Sequence, residues 1–137
     1  MSVPRSFGYG MQSSVIQEII SLSVNTRTST PDLIDARYPF FMDATDEIQS
    51  VAMAYRERKK KEMLMDFDDL LLNCLTLLAE NDHVRDYYAG KFHHILVDEY
   101  QDTNRIQAEL IDLLASGGGS IMVVGDDSQS IYSFRGA

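Results

Sequence analysis

The sequence predicts an α/β fold in which a mostly helical first half precedes a small parallel sheet. Through residue 89, apolar residues recur at helical spacing. Residues 95–97 and 121–124 then form two short, continuous apolar runs on either side of one more helical segment. Runs of this kind are typical of buried parallel strands. Strand, helix and strand at this spacing make a βαβ unit, whose crossover is expected to be right-handed.

Composition indicates an ordinary folded domain. The chain has 137 residues, of which 45% are hydrophobic and 24% are charged, and this length can bury a core. The 12 Lys+Arg against 21 Asp+Glu give a net charge of −9. An acidic surface argues against a free-standing, non-specific DNA binder, because phosphate contacts need a basic face.

Two further features bear on the cellular setting. The longest apolar run, residues 70–79, is far shorter than the roughly 20 residues that a membrane span needs, so we expect no membrane partner. The first ten residues lack the apolar segment of a secretory signal. A single cysteine cannot form an internal disulfide, which suits a reducing cytoplasm.

Two helices joined by a loop are predicted for the first 62 residues. Residues 11–23 place their apolar side chains on one helical face, with Ser13 or Ser14 available as a cap. Residues 24–41 contain two prolines and are predicted to be a loop with at most one short helical turn. Thr45 or Asp46 then caps the second helix.

That second helix carries the chain's basic cluster, residues 56–61. We interpret the cluster as the solvated C-terminal end of an amphipathic helix, where cations suit the helix dipole. The alternative is a patch that contacts phosphates.

A third helix is predicted to begin at the acidic residues 66–69, which cap it rather than bind metal. Its broad apolar stripe makes Cys74 a core residue. The residues of the stripe are Phe67, Leu70, Leu71, Cys74, Leu75 and Leu78. Residues 84–89 are expected to add one short helical turn that ends at Gly90.

The helix between the two strands covers residues 104–115. Asp102, Thr103 or Asn104 is expected to cap it, and the glycines at 117–119 are expected to end it. Its predicted buried face consists of Ile106, Leu110, Leu113 and Leu114.

Both predicted strands end in acidic residues, Asp98-Glu99 and Asp126-Asp127. Neighbouring parallel strands bring their carboxyl ends to one edge of the sheet, where open α/β sheets bind ligands. Carboxylates at the ends of buried strands are costly unless neutralised, and Mg²⁺ is the natural partner because it prefers oxygen ligands and bridges to phosphates. An aspartate followed by a glutamate at a strand end can hold Mg²⁺ and activate a water for phosphoryl transfer.

Three segments resemble motifs of one enzyme family. VDEYQDTN, residues 97–104, resembles the Walker B motif of superfamily 1 DNA helicases of the UvrD/Rep/PcrA type. VGDDSQSIYSFRGA, residues 124–137, is similar to motif III of that family, and MDFDDLL, residues 65–71, to the segment shortly before Walker B. The three matches occur in the family's order and together span about half of the chain.

The resemblance implies a domain plan and a set of ligands. Residues 65–137 would be part of the first RecA-like motor domain, and residues 1–64 part of the helical subdomain inserted into it. The chain would be an internal fragment of an ATP-dependent DNA helicase. Its parent would use ATP and Mg²⁺ to move on single-stranded DNA and to separate duplex DNA.

The resemblance also implies the catalytic roles. Asp98 would coordinate Mg²⁺ directly or through water. Glu99 would be the general base that orients the attacking water. Gln129 would sense the γ-phosphate and relay its presence to the DNA site.

The remaining implied roles concern coupling and DNA. Gln101, Asp126 and Arg135 would couple the nucleotide site to the DNA site, and Arg135 could itself contact DNA. Tyr132 and Phe134 would stack on bases, with Phe134 standing where the family often has Trp. Base stacking on an aromatic side chain is worth about 1–3 kcal/mol and tolerates any sequence.

The residues by themselves leave two alternatives open. Gln101 and Asp102 could simply cap the following helix. Tyr132 and Phe134, two residues apart in an extended segment, could share one face as core residues.

One essential element is missing from this sequence. It contains no Gly-x-x-x-x-Gly-Lys-Ser/Thr run to cradle the β- and γ-phosphates. We therefore expect the isolated chain to hydrolyse no ATP. The rival hypothesis is a free-standing interaction module, or a degenerate helicase remnant, which keeps the motifs only as structure.

Two strands alone leave open sheet edges. We therefore expect the chain to be marginally stable or to associate with a second copy through those edges.

Overall fold

A computed structural model describes residues 12–126 of the chain, which divides into two compact units, Met1–Met65 and Asp66–Ala137. The described part of the first unit contains α1 (Ser13–Thr26), α2 (Thr30–Arg37), a 3₁₀ helix (Pro39–Ala44) and α3 (Thr45–Glu62). The described part of the second contains α4 (Phe67–Glu80), α5 (Asp82–Lys91), β1 (His94–Val97), a 3₁₀ helix (Tyr100–Asp102), α6 (Arg105–Ala115) and β2 (Ser120–Val123).

The first unit is built around the apolar face of α1. Ile16 and Ile19 are buried there, as their spacing predicts. The predicted serine cap is wrong, because the helix begins after Gln12, whose side chain makes no capping hydrogen bond. The cluster that α1 shares with its neighbours consists of Ile16, Ile19, Leu22, Leu33, Ile34, Ala44 and Ile48.

Helix α2 occupies a stretch that the sequence predicts to be a loop. The Ser29 hydroxyl caps it by accepting a hydrogen bond from the Asp32 N–H at 3.3 Å. Pro31 lies in the first turn, where a missing N–H costs nothing and the fixed φ suits a helix. The proline therefore helps to begin a helix here. The apolar residues Leu33 and Ile34 of α2 are buried.

Helix α3 packs through Ile48 and Ala52, both buried. The predicted cap is again wrong: α3 begins after Ala44, and the Thr45 hydroxyl donates to the Met42 carbonyl at 2.7 Å. The basic cluster lies in the last turns of α3, where two of its side chains pair with glutamates of the same helix at 3.0 and 3.3 Å. This arrangement favours a solvated helix end over a phosphate patch.

Helix α4 begins as predicted, with a capping box. The Asp66 side chain accepts from the Asp69 N–H at 2.9 Å, and the Asp69 side chain accepts from the Asp66 N–H at 3.0 Å. The predicted stripe is only half right, however. Leu75 and Leu78 are buried, whereas Phe67 is 87% exposed.

Cys74 is also exposed, so its assignment to the core is wrong. Helix α4 packs against α5 and α6 with one edge of the stripe, and Cys74 lies on the other edge.

Helix α5 is longer than predicted. Asn81 caps it by accepting from the Val84 N–H at 3.2 Å, and the helix continues through Gly90 to Lys91. Gly90 therefore does not end the helix. Ala89 is buried, and its carbonyl lies so close to Gly117 that a Cβ on that glycine would be only 2.5 Å away.

The predicted strand–helix–strand order is confirmed. Strands β1 and β2 are parallel and in register from His94↔Ser120 to Val97↔Val123, with α6 between them in sequence. The described residues thus form a mostly helical chain with a two-stranded parallel sheet, which is compatible with the α/β class. The predicted burial of the strands is wrong for the described part, where Leu96 is 73% exposed and Met122 is 60% exposed.

None of the helices described between residues 12 and 126 has the length and apolar character to cross a membrane.

Candidate functional site

The candidate site lies where the two parallel strands end. The Val124 N–H donates to the Val97 carbonyl at 2.8 Å, and the Tyr100 N–H donates to the Val124 carbonyl at 3.0 Å. The backbone ladder therefore continues past both strands and ties their following segments together. As the sequence predicts, Asp98-Glu99 and Asp126 lie at the same end of the sheet.

A sharp backbone turn follows β1. Glu99 has φ 52° and ψ 43°, the left-handed conformation, which costs a non-glycine residue roughly 1–2 kcal/mol. Two hydrogen bonds hold the turn: the Glu99 N–H donates to Asp98 Oδ1 at 3.0 Å, and the Asp102 N–H donates to the Glu99 carbonyl at 2.9 Å. The turn presents Asp98 and Glu99, both exposed, immediately beyond the strand.

Gln101 connects the ends of the two strands. Its Oε1 accepts from the Asp126 N–H at 2.9 Å, while its Nε2 donates to the Glu99 carboxylate. The alternative in which Gln101 or Asp102 caps α6 is wrong. Asn104 is the cap, because its side chain accepts from the Gln107 N–H at 2.9 Å in a capping box.

Gly125 packs closely against Gln101. A Cβ placed on Gly125 would lie 2.6 Å from Gln101 Oε1 and 3.3 Å from the Gln101 N atom. Real Cβ atoms do not approach this closely, so a larger residue at position 125 would push aside the end of the flexible Gln101 side chain. The sequence does not reveal this contact, because Gln101 and Gly125 are 24 positions apart.

The acidic side chains of the site face solvent. Asp98, Glu99 and Asp126 are all exposed. The expectation that these strand ends are buried, and so require neutralisation, is therefore wrong for the described residues. One acidic atom near the site differs: Asp102 Oδ1 is inaccessible to solvent and has no hydrogen-bond partner within residues 12–126.

The carboxylate oxygens at the strand ends are a type of donor that Mg²⁺ prefers. Across the described residues no three His, Cys, Asp or Glu side chains gather into a metal-binding group. Mg²⁺ commonly binds through only one or two carboxylates and completes its shell with waters and phosphates. Asp98 supplies one such exposed carboxylate directly after β1, so it fits the metal.

Four of the residues assigned from the sequence lie outside the described residues. They are Gln129, Tyr132, Phe134 and Arg135. The roles implied for them stay predictions.

Comparison with known proteins gives a consistent picture. The family model of the UvrD/REP helicase N-terminal domain matches residues 11–137. DNA helicase II of Escherichia coli is 48% identical over 89 residues, which is 65% of this chain and 12% of that protein. The ATP-dependent DNA helicase Rep of Salmonella typhimurium is 51% identical over 83 residues, 61% of this chain and 12% of that protein. The ATP-dependent DNA helicase PcrA of Staphylococcus aureus is 43% identical over 90 residues, 66% of this chain and 12% of that protein.

The chain thus spans about one eighth of the length of these relatives. The family model, in contrast, covers nearly all of the chain. The chain therefore belongs to the UvrD/REP helicase family, within its N-terminal domain.

Proposed function

We propose that this chain is part of the first RecA-like motor domain of an ATP-dependent DNA helicase. The observation that carries the proposal is the parallel register of β1 and β2, which brings Asp98-Glu99 and Asp126 to one end of the sheet. Open α/β sheets bind ligands at such strand ends. The parent protein would couple ATP hydrolysis to movement on single-stranded DNA and to separation of duplex DNA.

The proposed chemistry divides between two neighbouring carboxylates. Asp98 would hold Mg²⁺, which would supply positive charge beside the phosphates. Glu99 accepts the proton of the attacking water as general base, a role that typically contributes 10²–10⁴-fold to the rate. Both side chains are exposed at the strand end, where a nucleotide can reach them.

Coupling to DNA is assigned to the end of β2 and the segment beyond it. Gln129 senses the γ-phosphate, and Arg135 and Asp126 relay its state together with Gln101. Tyr132 and Phe134 stack on the bases of single-stranded DNA. The hydrogen bond between Asp126 and Gln101 supports this assignment, since it joins the second strand end to the Walker B segment.

The proposed domain plan follows the division of the chain. Residues 65–137 belong to the motor domain, and residues 1–64 to the helical subdomain inserted into it. The separation into Met1–Met65 and Asp66–Ala137 supports this plan, as does the purely helical content described for the first unit.

An exposed, unpaired Cys74 suits the reducing cytoplasm in which we place the protein.

The isolated chain should turn over no ATP, because its sequence lacks the lysine-bearing glycine loop that cradles phosphates. The same absence favours a second candidate function, an interaction module without ATPase activity.

Sequencing the coding DNA on either side of the segment separates the two candidates. We expect an in-frame Gly-x-x-x-x-Gly-Lys-Thr upstream and a second RecA-like half downstream. In-frame stop codons on both sides would refute the motor assignment and leave the interaction module.

In the polypeptide extended by those flanks, Glu99→Gln should lower DNA-stimulated ATP turnover by about 10²–10⁴-fold, because the amide cannot accept the proton. Glu80→Gln is the matched control, since Glu80 is exposed at the end of α4 and belongs to neither segment that follows the strands. Full turnover in the Glu99 variant would show that the general-base assignment is wrong.

A further inference from the structure

The Gln101 side chain contacts both strand ends with opposite halves of one amide. Asp126 offers only an N–H at this point, so the atom that faces it must be the amide oxygen, 2.9 Å away. An ionised Glu99 carboxylate can only accept, so the atom that faces it must be the amide nitrogen. The two partners thus fix the orientation of the amide, and neither bond can form with the amide reversed.

Close packing strengthens this connection. The Gly125 backbone lies directly beside Gln101 Oε1, since a methyl group added to the Gly125 Cα would come within 2.6 Å of that oxygen. The hydrogen bond from the Tyr100 N–H to the Val124 carbonyl lies one residue before Gln101 in the first segment and one residue before Gly125 in the second. The segment after β1 is therefore joined to the segment after β2 by three contacts: a backbone hydrogen bond, the Gln101 amide and the packing of Gly125 against Gln101.

Glu99 stands on the left-handed turn, so its side chain leaves the backbone just where β1 ends. The Glu99 carboxylate accepts a hydrogen bond from Gln101 Nε2, which restrains its orientation. A general base must lie within hydrogen-bond reach of its water, and misplacement of about 1 Å can cost 10²-fold in rate.

We propose that Gln101 is a positioning residue that holds the Glu99 carboxylate to the backbone at Asp126, so that the segment after β2 controls the orientation of the general base. This inference rests on the proposed function. It adds a direction of coupling: displacement of the backbone at Asp126 releases the Gln101 oxygen, and the same side chain then loses its hold on Glu99.

Two substitutions of Gln101 separate the two halves of the contact. Gln101→Glu keeps an oxygen for the Asp126 N–H but places a second carboxylate against Glu99. Gln101→Met has a similar length and forms neither hydrogen bond. Gln49→Glu, on an exposed position of α3, is the matched control for the change of charge.

The first measurement is amide hydrogen exchange at Asp126 in the 137-residue chain, which needs no activity. Loss of one hydrogen bond should speed exchange by about three- to tenfold. We expect this in Gln101→Met and in Gly125→Ala, whose new methyl group displaces Gln101. We expect unchanged exchange in Gln101→Glu and Gln49→Glu. Unchanged exchange in Gln101→Met would overturn the proposal.

The second measurement is ATP turnover in the extended polypeptide. Both Gln101 variants should lower kcat by roughly 10–100-fold while KM for ATP stays within about twofold, because the general base is misplaced and nucleotide binding is not. A parallel rise in KM, or full kcat in Gln101→Glu, would overturn the positioning role. If the parent polypeptide itself shows no turnover, the proposed function fails, and the exchange measurement still decides whether Gln101 joins the strand ends.

Discussion

Single side chains fix where several of the helices begin. Ser29, Asp66, Asn81 and Asn104 each accept a hydrogen bond from a backbone N–H in the first turn of the helix that follows. Each satisfies a donor that the helix itself leaves without a partner. At α6 the cap also fixes the point at which the turn after β1 ends and the helix begins.

Replacing Asn104 should therefore weaken the second unit. We expect Asn104→Ala to lower the free energy of unfolding by about 1 kcal/mol, the usual cost of a lost cap. The measurement is urea unfolding monitored by circular dichroism. Thr103→Ala is the control, since the Thr103 side chain does not cap α6. Equal losses in the two variants would contradict the capping box.

The Tyr38 hydroxyl makes the first unit sensitive to alkaline pH. It donates to Glu18 Oε1 at 2.9 Å. Burial, and then the hydrogen bond to Glu18, raise the pKa of Tyr38 from 10.0 to about 12. Because the folded pKa lies above the unfolded one, this contribution to stability is complete below pH 10 and is lost as the pH rises through about 12.

Tyr38→Phe tests this linkage. At about pH 8 the variant should be less stable than the parent chain by about 0.5–1.5 kcal/mol, the net value of one hydrogen bond. The difference should shrink towards pH 12, as followed by urea unfolding at a series of pH values. Tyr87→Phe, at a ring that is 61% exposed, is the matched control for loss of a tyrosine hydroxyl. A difference that stays constant with pH would argue against the contact with Glu18.

At the scale of elements, two glycines should respond in opposite ways to the same substitution. Gly90 lies inside α5, where an added Cβ would meet no atom within 4 Å, whereas a Cβ on Gly117 would meet the Ala89 carbonyl oxygen at 2.5 Å. Gly90→Ala should stabilise the chain by about 0.5–1 kcal/mol through helix propensity. Gly117→Ala should destabilise it by roughly 1–3 kcal/mol, because backbone must move. Thermal unfolding of the two variants side by side is the measurement, and a shift of the same sign in both would contradict the structure.

The elements that the sequence predicts best are those with their own local signals. The aspartate cap of α4, the apolar run of β1 and the glycines after α6 each act within a few residues, and each is found where expected. Parallel pairing by itself brings the carboxyl ends of the two strands to the same edge of the sheet. This much of the candidate site requires no tertiary information.

The errors arise where a residue's meaning depends on its neighbours in space. Pro31 looks like a helix breaker in the sequence, yet it lies in the first turn, where proline is favoured. Cys74 belongs to an apolar stripe wider than the surface that α5 and α6 cover. The link from Gln101 to Asp126 joins residues 25 positions apart, so no pattern in sequence could reveal it.

At the scale of the whole chain, charge is divided unevenly. Residues 1–65 carry eight Lys+Arg and eight Asp+Glu, whereas residues 66–137 carry four and thirteen. The entire net charge of −9 therefore belongs to the second segment, which holds the proposed nucleotide site. An acidic strand end repels phosphates, so nucleotide binding there should depend strongly on Mg²⁺.

The sheet determines how the isolated chain should behave in solution. In the described residues each strand has one pairing edge without a neighbour, and the apolar side chains of β2 are exposed together with Leu96 of β1. Leu96, Ile121 and Met122 are 73%, 44% and 60% exposed. Open apolar edges are templates for strand pairing, so we predict that the chain associates with a second copy through this sheet.

Light scattering over a hundredfold range of concentration tests this association. The apparent mass should rise with concentration, and Met122→Lys should hold the chain at its monomer mass, since an edge lysine opposes strand pairing. Gln49→Lys adds the same charge on exposed α3 and should leave the association unchanged. A monomer at every concentration, with a single sharp unfolding transition that does not depend on concentration, would show that the two-stranded sheet is stable without a partner.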